Sequence, residues 1–306
     1  MKKLVLLVLV AVIIAGCANE KPVKVPSTHP VQQPTVLSST EPTPTTSPIA
    51  PAPSPMPSPT PTAQVHYLTL KVGESARTSR EEVTVEKVFL TTMYGGKYGN
   101  YWPDYGNVYV FAKVRIKDVS DSLKDYVAVS EFSATDESGR KYDVLFMDVP
   151  GYLEATSLNP GEYVEGLIAF EVPEKTKLIK IKYDFGGLIE ANPAAWVVNI
   201  EKVPLEKPKL SIVSGHITGK STVLGYEVEG VTFTVENFGR IPVYLETAKV
   251  KYGSGSWEYL TSPDVLLSPG EKRTVTSSEY ALLNSYPSVV YVGIFDGDRI
   301  LTENTI

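Results

Sequence analysis

From His66 onward the chain alternates between apolar and polar positions. Val83 and Val85 alternate with Thr84 and Glu86. Val108, Val110, Ala112, Val114 and Ile116 share one face of a run whose other face carries Tyr109, Phe111, Lys113 and Arg115. Ile168, Phe170 and Val172 repeat the pattern, and Val231, Phe233 and Val235 repeat it again against Thr232, Thr234 and Glu236. A period of two marks half-buried strands. The runs are broken by turn residues: Gly95-Gly96, Asp136-Glu137-Ser138-Gly139, Asn159-Pro160-Gly161-Glu162 and Gly186-Gly187. One short helical turn is predicted within Asp121–Val129. Many short strands with turns at this spacing predict an all-β chain built of sandwiches.

Two such modules are predicted in tandem, at 65–205 and 206–306. Pro193, Pro204 and Pro208 punctuate the approach to the boundary. Leu267-Ser268-Pro269-Gly270-Glu271 in the second half echoes Leu158-Asn159-Pro160-Gly161-Glu162 in the first. The reason for Pro-Gly-Glu is local: proline presets φ, glycine accepts positive φ, and the chain reverses into a new strand. Val289–Phe295 is an apolar strand ending in the hairpin-type turn Asp296-Gly297-Asp298.

The N-terminal part has a different texture. Lys2 and Lys3 precede an apolar run from Leu4 to Ile14, then Ala15-Gly16-Cys17. Positive residues, a short apolar run and small residues before a cut describe a signal peptide. The ending resembles the lipobox of bacterial and archaeal lipoproteins. That resemblance implies a signal over residues 1–16 and a lipidated Cys17, the only cysteine, as the first mature residue. Residues 17–64 read as a disordered Pro/Ser/Thr-rich linker; 21–63 hold 13 of the chain's 24 prolines. Proline removes the amide donor and fixes φ, so the run should be extended, reaching about 130 Å at most.

An ordered series in the first module resembles a known family. It runs through Leu70-Lys71-Val72-Gly73-Glu74, Val83-Thr84-Val85, Tyr109–Val114, Phe132–Tyr142 with its Asp136–Gly139 turn, Leu158–Gly166 and Val172-Pro173. Over residues 66–186 this is similar to the telokin-like, immunoglobulin-type domain of unknown function found in secreted prokaryotic lipoproteins. The resemblance implies an extracellular β-sandwich with no established catalytic residues. Asp118 departs from the pattern, standing where an asparagine is expected. The second module, with Asn237-Phe238-Gly239 and Pro269-Gly270-Glu271, loosely resembles adhesion-type and other immunoglobulin-like modules of prokaryotic surface proteins.

Charge and chemistry narrow the function. The 306 residues carry a net charge of −6, and losing residues 1–16 with Lys2 and Lys3 leaves −8. No basic stripe calls for nucleic acid. His29, His66 and His216 are scattered over linker, module start and second module, which is poor material for a zinc site or a Ser-His-Asp triad. Gly215–Ser221 has three residues between its first glycine and Gly219-Lys220-Ser221, where a phosphate loop needs four. Asp118, Asp121 and Asp125 are weak candidates for a cation, since their spacing fits no EF-hand loop. No cofactor is expected.

The most suggestive segment is Tyr94–Tyr105. Tyr94, Tyr98, Tyr101, Trp102 and Tyr105 stand among glycines between two predicted strands. Either these rings offer flat apolar faces with polar tips to a sugar or protein, or they fold back over the sandwich edge. The reading that follows is a non-enzymatic, lipid-anchored protein on the extracytoplasmic side of the membrane. It would present a protein- or glycan-binding sandwich on a stalk. The alternative is a structural accessory subunit of a membrane transport or envelope complex.

Overall fold

The computed structural model describes residues 68–121, 125–185, 193–278 and 281–306. The predicted signal, Cys17, the predicted linker and the predicted Gly186-Gly187 turn lie outside these residues. The first strands are β1 (Leu68–Leu70), β2 (Ser75–Arg77), β3 (Glu81–Thr91), β4 (Tyr94–Gly96), β5 (Gly99–Tyr101), β6 (Asn107–Asp118) and β7 (Asp125–Val127). They continue as β8 (Phe132–Asp136), β9 (Lys141–Asp143), β10 (Thr156–Leu158), β11 (Tyr163–Pro173), β12 (Leu178–Tyr183), β13 (Ala194–Asn199) and β14 (Leu205–Glu206). Then follow β15 (Leu210–Thr222), β16 (Gly225–Asn237), β17 (Val243–Leu245), β18 (Thr247–Tyr252) and β19 (Glu258–Thr261). The last are β20 (Val265–Leu267), β21 (Lys272–Ser277), β22 (Ala281–Leu283), β23 (Val290–Asp296) and β24 (Arg299–Thr305).

The all-β prediction holds: the described residues contain strands and two 3₁₀ turns, with no α-helix. No described helix is long and apolar enough to cross a membrane. The helical turn predicted within 121–129 is displaced. Asp125–Val127 pairs with Thr156–Leu158 as a strand, and the 3₁₀ turn is Val129–Glu131. Tyr126 and Val127 have side chains that suit a pleated surface better than a helix.

In the first sandwich the sheet β1-β13-β12-β8-β9 faces the sheet β11-β6-β3-β14, with β2 also on β3. The period-two residues meet between them: Val108, Val110, Ala112, Val114 and Ile116 from β6, and Ile168, Phe170 and Val172 from β11. From the other sheet come Ile179, Ile181 and Tyr183, with Ala194, Trp196 and Val198. The second sandwich sets β15-β16-β21 with β22 against β19-β18-β23-β24, and adds the pair β17-β20.

The second core does not stop at the second sandwich. Phe89, Tyr109, Phe111 and Ala169, on the outer face of the first, cluster with Ile241, Val243, Leu245 and the inner residues of β16, β18 and β23. A bulge between Val85 and Lys87 makes this possible. One extra residue flips every later side chain to the opposite face. Val83 and Val85 point into the first core, Val88 and Leu90 resume that role after the bulge, and Phe89 is turned outward. Phe89 then stacks on Phe111 at 5.3 Å between ring centroids.

Candidate functional site

The Tyr94–Tyr105 segment is built as a joint. β4 and β5 form a small hairpin pairing Tyr94 with Tyr101. Tyr94 is buried and stacks on Phe111 at 4.4 Å. Burial pushes its hydroxyl pKa up to about 12. The Gly95 N–H donates to the Pro242 carbonyl at 3.0 Å. A Cβ on Gly95 would lie 2.7 Å from that carbonyl oxygen, so glycine is what permits this approach. The Asn100 side chain donates to the Tyr244 carbonyl at 2.9 Å and accepts from the Tyr244 N–H at 2.8 Å. Trp102 Nε1 donates to Asp296, and Arg299 lies 4.0 Å over the Trp102 ring. The Tyr101 hydroxyl accepts from the Asp148 N–H at 3.2 Å.

Three of the five aromatic residues proposed to bind a ligand are therefore engaged within the protein. Tyr94 is in the core, while Tyr101 and Trp102 are half-buried against it. Tyr98 and Tyr105 are exposed, with Lys97 4.9 Å over the Tyr98 ring. The five rings do not form one common platform, because the chain uses the segment to reach the second sandwich.

The aspartates have different surroundings. Asp118 is fully buried and its Oδ1 accepts from the Ser120 N–H at 2.8 Å. Asp125 is buried and bridged to Arg80 at 2.8 Å. Asp121 is exposed. Among the described residues no three His, Cys, Asp or Glu side chains gather as a metal site.

Sequence reading missed a cluster at one end of the first sandwich. The Tyr183 hydroxyl lies 2.7 Å from Glu131 Oε2 and 2.9 Å from Glu81 Oε2. A phenol carries one proton and cannot donate to two carboxylates, so one carboxyl must keep its own. Glu81 is the better holder. Burial first, then the adjacent Asp125, pushes its pKa up to about 8, against a lowering by Tyr183. Burial raises Glu131 as well. The cluster joins β3, β7, the 3₁₀ turn and β12 across 102 residues of sequence. Its local traces are Glu81, an acidic residue on the inward phase ahead of the alternating valines, and Asp125, read from the sequence only as a cation candidate.

A shallow hollow of about 530 Å³ lies on the outer face of the β1-β13-β12-β8-β9 sheet, lined by Thr69, Thr135, Glu137, Leu178 and Lys180 among others. Glu137 is occupied there, accepting from the Leu178 N–H at 3.2 Å.

Residues 70–193 match the family model of a domain of unknown function, DUF4352. The matched span runs from the end of β1 to just before β13, and it contains the acidic cluster and the aromatic segment. No curated protein matches the chain. Among solved structures, the ycdA lipoprotein candidate of Bacillus subtilis is 13% identical, with 44% of this chain and 40% of that chain covered and a TM-score of 0.35. An uncharacterized β-sandwich protein of Clostridium difficile 630 is 16% identical over 45% of this chain and 98% of its own, with a TM-score of 0.33. The secreted protein MPT63 of Mycobacterium tuberculosis is 17% identical over 44% of this chain and 98% of its own, with a TM-score of 0.30.

Proposed function

We propose that this chain is a non-enzymatic, lipid-anchored protein of the extracytoplasmic surface, carrying a linked pair of sandwiches on a Pro/Ser/Thr-rich stalk to a protein or glycan partner. In this reading residues 65–205 are a telokin-like, immunoglobulin-type module and 206–306 a related one. The observation that carries the proposal is the joint. Asn100, Trp102 and Gly95 tie the aromatic segment to Tyr244, Asp296 and Pro242. A side-chain amide matched to a backbone edge, over a shared apolar core, supports one fixed body suited to holding a surface at the end of a stalk. Tyr98 and Tyr105 are the rings of the segment left free for a partner.

The anchor is tested by labelled-lipid incorporation in cells. Incorporation should disappear in Cys17→Ser, and label persisting in that variant sinks the anchor. The binding surface is tested by glycan and surface-protein arrays probed with the chain and with Tyr98→Ala plus Tyr105→Ala. Binding unchanged by the double substitution removes these two residues from the proposal.

A further inference from the structure

The β15–β16 hairpin ends in a turn that folding alone does not explain. Thr222 and Gly225 pair across it, leaving Val223 and Leu224 as the two turn residues. Two-residue hairpin loops favour Asn-Gly or Asp-Gly, because the first position takes positive φ. Neither Val223 nor Leu224 has positive φ. The Thr222 hydroxyl closes the turn instead, accepting from the Leu224 N–H at 3.2 Å and donating to the Gly225 carbonyl at 3.1 Å. Val223 is 102% exposed and Leu224 73%. Two adjacent apolar side chains at the outermost point of a hairpin gain nothing from either core.

The surroundings of the tip are graded. Tyr226 and Tyr286 meet edge to face just behind it at 4.9 Å, with Tyr286 and Leu282 both exposed. Residues 221–226 and 281–288 hold no charge, in a chain that is 21% charged. Charge begins at the cross-strand pair Lys220 and Glu227, bridged at 3.4 Å, with Glu229 also on Lys220 at 2.8 Å. From Lys220 to Val223 is three residues, about 10 Å along a strand.

We propose that this tip docks on a lipid bilayer, seating Val223 and Leu224 in the interface with Tyr226 and Tyr286 at headgroup level. A convex apolar point with tyrosines behind it and charge about 10 Å back has the dimensions of interfacial insertion, which runs about 5–10 Å deep. The Lys220–Glu227–Glu229 group carries one positive and two negative charges, a net of −1, so the contact draws nothing from anionic lipid. The inference rests on the Cys17 anchor. Two apolar residues bind a membrane weakly, and a tether supplies the local lipid concentration that makes a weak contact count. A linker reaching about 130 Å lets either sandwich return to the membrane; the apolar tip selects the second.

The test uses the chain from Cys17 to Ile306, coupled through that cysteine to a maleimide lipid in phosphatidylcholine vesicles. Leu224→Trp reports on the tip, read against the unsubstituted chain to remove Trp102, Trp196 and Trp257. Lys175→Trp, at an exposed turn of the first sandwich, is the control. Brominated acyl chains should quench the tip reporter at least about threefold more than the control, and adding Val223→Asp should abolish that excess. No quenching at position 224, equal quenching at both turns, or quenching that survives Val223→Asp overturns the proposal. Chemical coupling keeps the result independent of lipidation in cells, so failure here and failure of the anchor are separate outcomes.

Discussion

Asp118 and Asn237 hold the same place in the two sandwiches. Each ends a long strand, accepts from the N–H of a Pro-Gly-Glu glycine (Gly161 at 2.9 Å, Gly270 at 2.7 Å), and donates its own N–H to the glutamate carbonyl (Glu162 at 2.9 Å, Glu271 at 3.0 Å). Each side chain also accepts from the N–H two residues on, Ser120 for one and Gly239 for the other. They differ in the remaining atom. Asn237 Nδ2 donates to the Ile241 and Leu267 carbonyls at 2.9 and 3.0 Å, while Asp118 Oδ2 is buried without a partner among the described residues. A buried carboxyl oxygen with no donor costs free energy, and an amide there would instead present donors, as Asn237 does to two carbonyls. Asp118→Asn should raise stability by about 1–3 kcal/mol, and Asn237→Asp should lower it by a similar amount. Denaturant midpoints at neutral pH check both, and a destabilised Asp118→Asn contradicts the equivalence.

Asn100 behaves toward Tyr244 as a strand would, exchanging two hydrogen bonds with one backbone residue. Asn100→Ala removes both and should cost about 1–3 kcal/mol. Gly95→Ala acts on the same joint by crowding the Pro242 carbonyl and should cost about 1–3 kcal/mol. Equilibrium unfolding of the two variants measures both effects.

Phe111 lies on the outer face of the central strand of the first sandwich yet belongs to the second core. Phe111→Ala should cost about 3–5 kcal/mol. The loss should appear as one shifted transition rather than early melting of the second half. Calorimetry and denaturant titration followed by two probes distinguish these outcomes.

Stability should respond to pH in opposite senses at two carboxyls. Glu81 is raised from 4.5 to about 8, so the folded state holds a proton the unfolded state gives up. Its contribution is complete below about pH 4.5 and is lost as pH rises through about 8. Glu81→Gln should flatten the stability profile across that window. Asp136 is lowered from 3.8 to about 2, chiefly by the Ser138 hydroxyl and also by Tyr142 and the Arg140 and Ser138 N–H groups. Its contribution is present above about pH 3.8 and is lost as pH falls through about 2. Asp136→Ala should remove that acid limb and leave the alkaline one. Urea midpoints from pH 2 to 9 resolve the two.

The strands were legible because alternation is a local signal: Val108 to Ile116 points into the core as their spacing predicts. The Pro-Gly-Glu turns were legible for the same reason, with Gly161 at φ 87° and Gly270 at φ 79°. The aromatic segment was legible as unusual, but its destination was not. Rings that could meet a ligand or a neighbouring sandwich have the same sequence in either case.

What the sequence determined by itself was an all-β chain with its Asp136–Gly139 and Pro-Gly-Glu turns in place, since each depends on a few adjacent residues; Gly95-Gly96, read as a break, is instead strand β4. Tertiary structure alone decided the rest. The bulge after Val85 turned Phe89 outward, Phe111 joined a core shared with residues beyond 205, and Glu81 met Tyr183 across 102 positions. These outcomes depend on which sheet faces cover one another. That is a property of long-range packing, which a period of two does not encode.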